Sequence, residues 1–173
     1  IEPRKNLVRL IEAFCKASEK ISGNPQLIIA GKRGWKTREF EEKIRSSIKH
    51  ANISILDDPT DNDIHTLYKY CKFLVLPSLY EGFGLPIAEA LKYQKPILTS
   101  EISSMPEVAG SAGYLVDPLS VASIEHAIIE LFADTTLYAT LSHCAKKEAS
   151  RFSWEKCARE MNQVFCSLTG NPR

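Results

Sequence analysis

No run of about 18 apolar residues occurs in this 173-residue chain, so no helix is expected to span a membrane. No signal-peptide pattern is present in these residues either. Neither sign of charge is in excess: 22 Lys and Arg stand against 21 Asp and Glu, a net charge of +1. That balance gives no reason to expect nucleic acid or an anionic membrane surface as a partner, so any anion site must be local. No C-x-x-C pair occurs. The five cysteines (Cys15, Cys71, Cys144, Cys157, Cys166) are scattered and odd in number, which indicates neither a disulfide framework nor a zinc site. Free, mostly buried thiols in a reducing, cytoplasmic compartment are expected instead. There is no P-loop and no Ser/His/Asp arrangement. His50, His65, His126 and His143 have no ligand spacing between them and read as structural or exposed. The chain opens at Ile1-Glu2-Pro3 without a methionine, and further sequence is expected upstream.

What is present is a globular composition, 44% hydrophobic and 25% charged, long enough for one domain with a real core. Asn6 reads as an N-cap for a helix carrying Leu7, Leu10, Ile11, Phe14 and Ala17 at helical spacing. Short apolar runs at 26–30, 53–56, 73–77, 96–99 and 114–116 read as strands. Helices are expected at about 37–49, from Thr60 (with Asp63 completing a capping box) to Cys71, at 86–93, 105–109, 121–133, 135–150 and 154–168. Ser153 would cap the last helix and Trp154 would anchor it by burial. Strands alternating with helices predict an α/β fold: a Rossmann-like, doubly wound, mostly parallel sheet with helices on both faces. Ligands of such sheets sit beyond the carboxyl ends of the strands. The loops Gly31–Gly34, Leu56–Pro59 and Ser78–Leu85 leave those ends. A strand just upstream of Ile1 would bring Arg4-Lys5-Asn6 to the same edge.

The most informative segment is the turn Glu81-Gly-Phe-Gly-Leu-Pro-Ile-Ala-Glu89, which joins an apolar strand to a helix with Pro86 suited to its first turn. Gly82 and Gly84 let backbone amides come close to a ligand, and a helix N-terminus favours an anion. The two carboxylates are acceptors for hydroxyls, and phosphate plus hydroxyls points to a nucleotide carrying a sugar. Glu89 lies one turn inside an apolar helix, where a buried carboxylate needs a bonding partner such as a ribose diol. The competing structural reading pairs Glu89 with a nearby cation, or has both glutamates favour the helix dipole. Arg4 and Lys5 precede a helix and oppose its dipole. A bound diphosphate would reverse that sign, whereas the bland alternative is a solvated basic pair. Lys32 and Arg33 could touch phosphate or face water. Asp57 and Asp58 fit turn chemistry better than a metal site.

Over nearly its whole length the chain resembles the C-terminal domain of retaining glycosyltransferases of the GT-B fold, family 4 (the group 1 glycosyltransferases). The resemblance is carried by Glu2-Pro-Arg-Lys-Asn6, "LIIAG" at 27–31, "LPSLYEGFGLPIAEAL" at 76–91, "KPILTS" at 95–100, "MPEVAG" at 105–110, "VDP" at 116–118 and "FSWEKCA" at 152–158. It implies a domain binding a nucleotide-sugar donor, with the acceptor, a glycan or lipid-linked sugar, held by an N-terminal domain outside these residues. Glu81 would meet donor-sugar hydroxyls, and Glu89 the ribose. Amides around Gly82, Phe83, Gly84 and Leu85 would meet the diphosphate or the sugar, and Lys5, helped by Arg4, would neutralise the diphosphate. The family lysine is often followed by Gly; here Asn6 stands in that place. No metal or other cofactor is expected, because Lys, Arg and helix dipoles stabilise the leaving group in this fold. The Glu2–Asn6 segment resembles that of GDP-mannose users, so mannosyl transfer in polysaccharide synthesis is expected, with UDP-sugars remaining open. The isolated domain should bind donor weakly and transfer little. The full-length protein could associate peripherally with a membrane. A non-catalytic nucleotide-sugar-binding module and a nucleotide-sugar epimerase of the same architecture are the alternatives.

Overall fold

The computed structural model describes residues 1–32, 34, 38–47 and 51–169. After a 3-10 turn at Pro3–Lys5 come α1 (Leu7–Ser18), β1 (Leu27–Ala30), α2 (Arg38–Ser47), β2 (Ile53–Leu56), α3 (Asp61–Tyr70), β3 (Leu74–Leu76), α4 (Leu85–Lys92), β4 (Ile97–Ser100), α5 (Met105–Ala109), β5 (Gly113–Val116), α6 (Val121–Ala133), α7 (Thr135–Glu148) and α8 (Trp154–Thr169). Every strand pairing is parallel. Among the described residues the strands form two sheets, β1–β2 and β3–β4–β5. Residues 1–4 lie across the seam between them. The Ile1 ammonium donates to the Lys32 carbonyl, and the Gly34 N–H to the Ile1 carbonyl. The Leu79 N–H, just past β3, donates to the Arg4 carbonyl. The segment before α1 therefore runs along the carboxyl ends of both sheets.

β4 shows why both faces carry helices. All four of its residues are buried, and alternate residues enter different cores. Leu98 packs with α1, α2 and α6 through Leu10, Ile11, Phe14, Phe40 and Ile128. Ile97 packs with α4, α5 and α7 through Ile87, Leu91, Met105 and Ala145. The two clusters are the layers of a doubly wound α/β domain.

The capping box of α3 forms as its spacing predicts: Asp63 N–H donates to Thr60 Oγ1 (3.2 Å), and Thr60 N–H to Asp63 Oδ2 (2.9 Å). Ser153 caps α8, its Oγ accepting from Lys156 N–H at 3.0 Å. Three expectations are corrected. Trp154 is 73% exposed, because α8 buries none of its described side chains and packs no face into either core. The thiols are half-buried rather than buried, and Cys157 is exposed. Asn6 holds the N-cap position of α1 but caps nothing with its side chain; its backbone is left-handed (φ 59°, ψ 31°). The buried Asn6 amide instead donates to the carbonyls of Pro77 (2.9 Å) and Pro118 (2.6 Å), and its Oδ1 accepts from Arg9. A left-handed backbone suits glycine, and asparagine tolerates it better than most residues.

At the far end of α7, Glu148 accepts from Ser111 N–H and Oγ and pairs with Arg151 at 2.7 Å. The Arg151 hydrogen bond first, then those from Ser111, hold its carboxyl at about 2. A carboxylate with a depressed folded pKa adds stability above its ordinary pKa and loses it as pH falls through the depressed one. Acid titration monitored by circular dichroism should therefore show the stability advantage of wild type over Glu148→Gln shrinking between about pH 4.5 and about pH 2. A gap unchanged across that window would contradict the assignment.

Candidate functional site

Three of the residues singled out from the sequence meet at the end of β3. Arg4 Nη1 lies 2.6 Å from Glu81 Oε2, and Lys5 Nζ lies 2.7 Å from Glu81 Oε1, joining positions 76 and 77 residues apart. Ser78 Oγ also donates to Oε1 (2.8 Å). Arg4 further donates to Glu2 and to the Tyr80 carbonyl. Arg4 and Lys5 are thus not a solvated pair. They sit at the end of the 3-10 turn, where cations are favourable, and share a buried counter-ion. Burial alone pushes the Glu81 carboxyl up; hydrogen bonds from Lys5, Ser78 and Arg4 outweigh it and hold the group below the usual carboxylate range. Two cations, Arg4 and Lys5, face two carboxylates, Glu81 and Glu2, so their charges balance in this cluster.

The backbone of Glu81 is fixed from the segment that follows β4. Ser103 Oγ donates to its carbonyl (2.7 Å) and accepts from its N–H (3.3 Å), while Ser104 Oγ donates to the carbonyls of Glu81 (3.0 Å) and Phe83 (2.9 Å). Ser100 Oγ donates to the Ser78 carbonyl. These serines escaped the sequence reading. Their signal was the cluster Ser100, Ser103, Ser104 just after β4, which a parallel sheet sets beside the end of β3.

Gly84 is the left-handed N-cap of α4 (φ 98°). Gly82 has no such conformational need, and a Cβ there would meet nothing within 4 Å. Among the described residues, the N–H groups of Gly82, Phe83, Gly84 and Leu85 have no protein acceptor. They stand at a helix N-terminus that carries no side-chain cap. Phe83 and Leu85 are exposed, and the Phe83 ring stands edge-on to Phe152 at 5.7 Å.

Glu89 lies elsewhere on the same helix. It is exposed, because α4 turns Ile87, Ala88, Ala90 and Leu91 into the core and leaves Glu89 on the outer face. The burial expected for it is corrected accordingly. No contact joins it to the Glu81 cluster; its protein partner among the described residues is Tyr68, whose hydroxyl donates at 2.8 Å. Lys32 is largely exposed and pairs with Asp58 (3.1 Å), itself left-handed (φ 48°), in keeping with turn chemistry. Arg33 and His50 lie outside the described residues. Among the described residues no helix is long and apolar enough to cross a membrane.

A parallel α/β domain with two cations, a shared carboxylate and amides without acceptors at its strand ends is of the doubly wound class, whose strand ends are where ligands sit. Residues 1–148 match the family model "Glycosyl transferases group 1", and the chain belongs to that family. It is 33% identical over 165 residues to the O-antigen chain mannosyltransferase B of Escherichia coli, covering 95% of this chain and 43% of that protein. Its fold is similar to Anabaena HepE solved with UDP and glucose (TM-score 0.84, 21% identity, 96% of this chain and 46% of that one). It is also similar to the C-terminal domain of a group 1 family protein, LpcC, from Francisella tularensis (TM-score 0.75, 23% identity, 87% and 80%). The chain thus spans less than half the length of that mannosyltransferase. The glycosyltransferase assignment and the GT-B-type architecture follow from the family match and the fold.

Proposed function

We propose that this chain is the donor-binding half of a retaining glycosyltransferase, taking a nucleoside diphosphate sugar at the ends of β1 and β3. The carrying observation is the meeting of Arg4 and Lys5 with Glu81 beside four amides that lack acceptors. Arg4 and Lys5, with the amides of residues 82–85, take the diphosphate. As charge develops on the leaving group, these fixed donors and the α4 N-terminus stabilise it, with no metal required. Glu81, released from its cations, accepts from hydroxyls of the sugar, and Glu89 accepts from the ribose diol. GDP-mannose is the donor favoured by the O-antigen mannosyltransferase relative and the Glu2–Asn6 segment. The acceptor, a glycan or lipid-linked sugar, falls to a second domain preceding this one. The protein acts in the cytoplasm, with peripheral membrane contact through that domain.

Calorimetry with GDP, UDP, ADP and their sugars tests the reading, with Gly82→Ala as the probe of the phosphate path. The open space around Gly82 predicts unchanged thermal stability, while a methyl placed against the amides should weaken diphosphate binding about tenfold. Absence of binding by every nucleotide at millimolar concentration, or wild-type affinity in Gly82→Ala, would overturn it.

A further inference from the structure

Glu89 is an awkward residue to ask for precise binding. It is long, exposed and one turn inside a helix, so its carboxylate has several rotamers to lose on meeting a ligand. The structure supplies a restraint. Tyr68 on α3 donates its hydroxyl to Glu89 Oε2 at 2.8 Å. Its ring is partly buried against the core of α4, α5 and α7 and stacks on Tyr93, centroids 5.7 Å apart and planes 25° from parallel. The Tyr93 hydroxyl in turn bonds His65 Nδ1. The four residues form a square: His65 and Tyr68 are one turn apart on α3, and Glu89 and Tyr93 one turn apart at the end of α4. Helix α3 buries no residue fully, so this brace is its specific tie to α4.

We infer that Tyr68 is a positioning residue that holds the Glu89 carboxylate for a vicinal diol, leaving Oε1 free to accept while Oε2 is held. The inference rests on the ribose role given to Glu89 above. Burial first, and then the Glu89 charge, push the Tyr68 hydroxyl well above its ordinary range. It therefore stays protonated, and a donor, around neutral pH. A donor to one oxygen of a carboxylate leaves the remaining lone pairs for the ligand, and a stacked, core-anchored ring places that donor at little entropic cost.

The test compares GDP with 2′,3′-dideoxy-GDP by calorimetry on this chain. Wild type should prefer the diol by about tenfold, and Glu89→Ala should erase the preference. Tyr68→Phe, which keeps the ring and its stacking, should cut the preference about fivefold, with thermal stability and dideoxy-GDP affinity near wild type. Tyr93→Phe, one link further out, should cut it less. In the Tyr68→Phe/Glu89→Ala double variant the tyrosine change should add nothing. Full preference in Tyr68→Phe with none in Glu89→Ala would sink the positioning role and leave the ribose role standing. Full preference in Glu89→Ala, or no preference in wild type, would sink both. A general loss of affinity for both ligands in Tyr68→Phe would mark a structural role only.

Discussion

Replacing Glu81 with alanine will tighten binding of a bare nucleoside diphosphate while removing the preference for the nucleotide-sugar. The opposed signs come from the double use of one carboxylate. In the structure Glu81 is the counter-ion of Arg4 and Lys5, at 2.6 and 2.7 Å. An arriving diphosphate must displace it from both. Without Glu81, Lys5 has no counter-ion and Arg4 keeps only Glu2, so a diphosphate gains the attraction that Glu81 had taken up. At a partly desolvated site that gain exceeds what a surface pair offers. The sugar, by contrast, loses its acceptor. We expect GDP to bind about tenfold more tightly to Glu81→Ala and GDP-mannose to lose its advantage over GDP. Calorimetry with the two ligands reads both arms at once. Parallel weakening of both would show that Glu81 serves only to hold Arg4 and Lys5 in place.

The second large effect falls on stability. Asn6→Ala will destabilise the domain far more than its single missing amide implies, and Asn6→Gly will fall between. Two causes separate the variants. Alanine must adopt a left-handed backbone, at about 1–2 kcal/mol. Both variants strip the donors from the carbonyls of Pro77 and Pro118, which are met at 2.9 and 2.6 Å by a buried side chain. Each carbonyl left dry costs about 1–3 kcal/mol. A total of about 3–8 kcal/mol is a large part of the about 5–15 kcal/mol that holds a domain of this kind together. Chemical denaturation should give the order wild type, Asn6→Gly, Asn6→Ala. Equal stability of the glycine and alanine variants would remove the backbone term; wild-type stability in Asn6→Gly would remove the hydrogen-bond term.

These residues also show which parts of the molecule could be read from the chain. The glutamate turn was legible because all its signals are local: an apolar strand, two glycines, a proline at the helix start. The α3 capping box, four residues long, was legible for the same reason. The strands and their parallel order followed from apolar runs alternating with helical periodicity. Contacts between distant segments were not legible. Nothing at Arg4 announces Glu81, 77 residues on; the pairing exists because parallel strands bring loop ends to one edge. Asn6 misled because asparagine is both a good cap and a good left-handed residue, and the sequence does not separate the two uses. Tyr68 gave no signal, since its value lies in a hydroxyl aimed at another helix. Trp154 misled by size: a large ring is usually buried, yet α8 has no core to bury it in.

The strip before α1 has a mechanical consequence. It bears Arg4 and Lys5 and is stitched to the loop after β1 at Ile1 and to the end of β3 at Leu79. Shifting it would loosen the cations without touching Glu81 or α4, so the grip on an anion is only as firm as those few backbone hydrogen bonds.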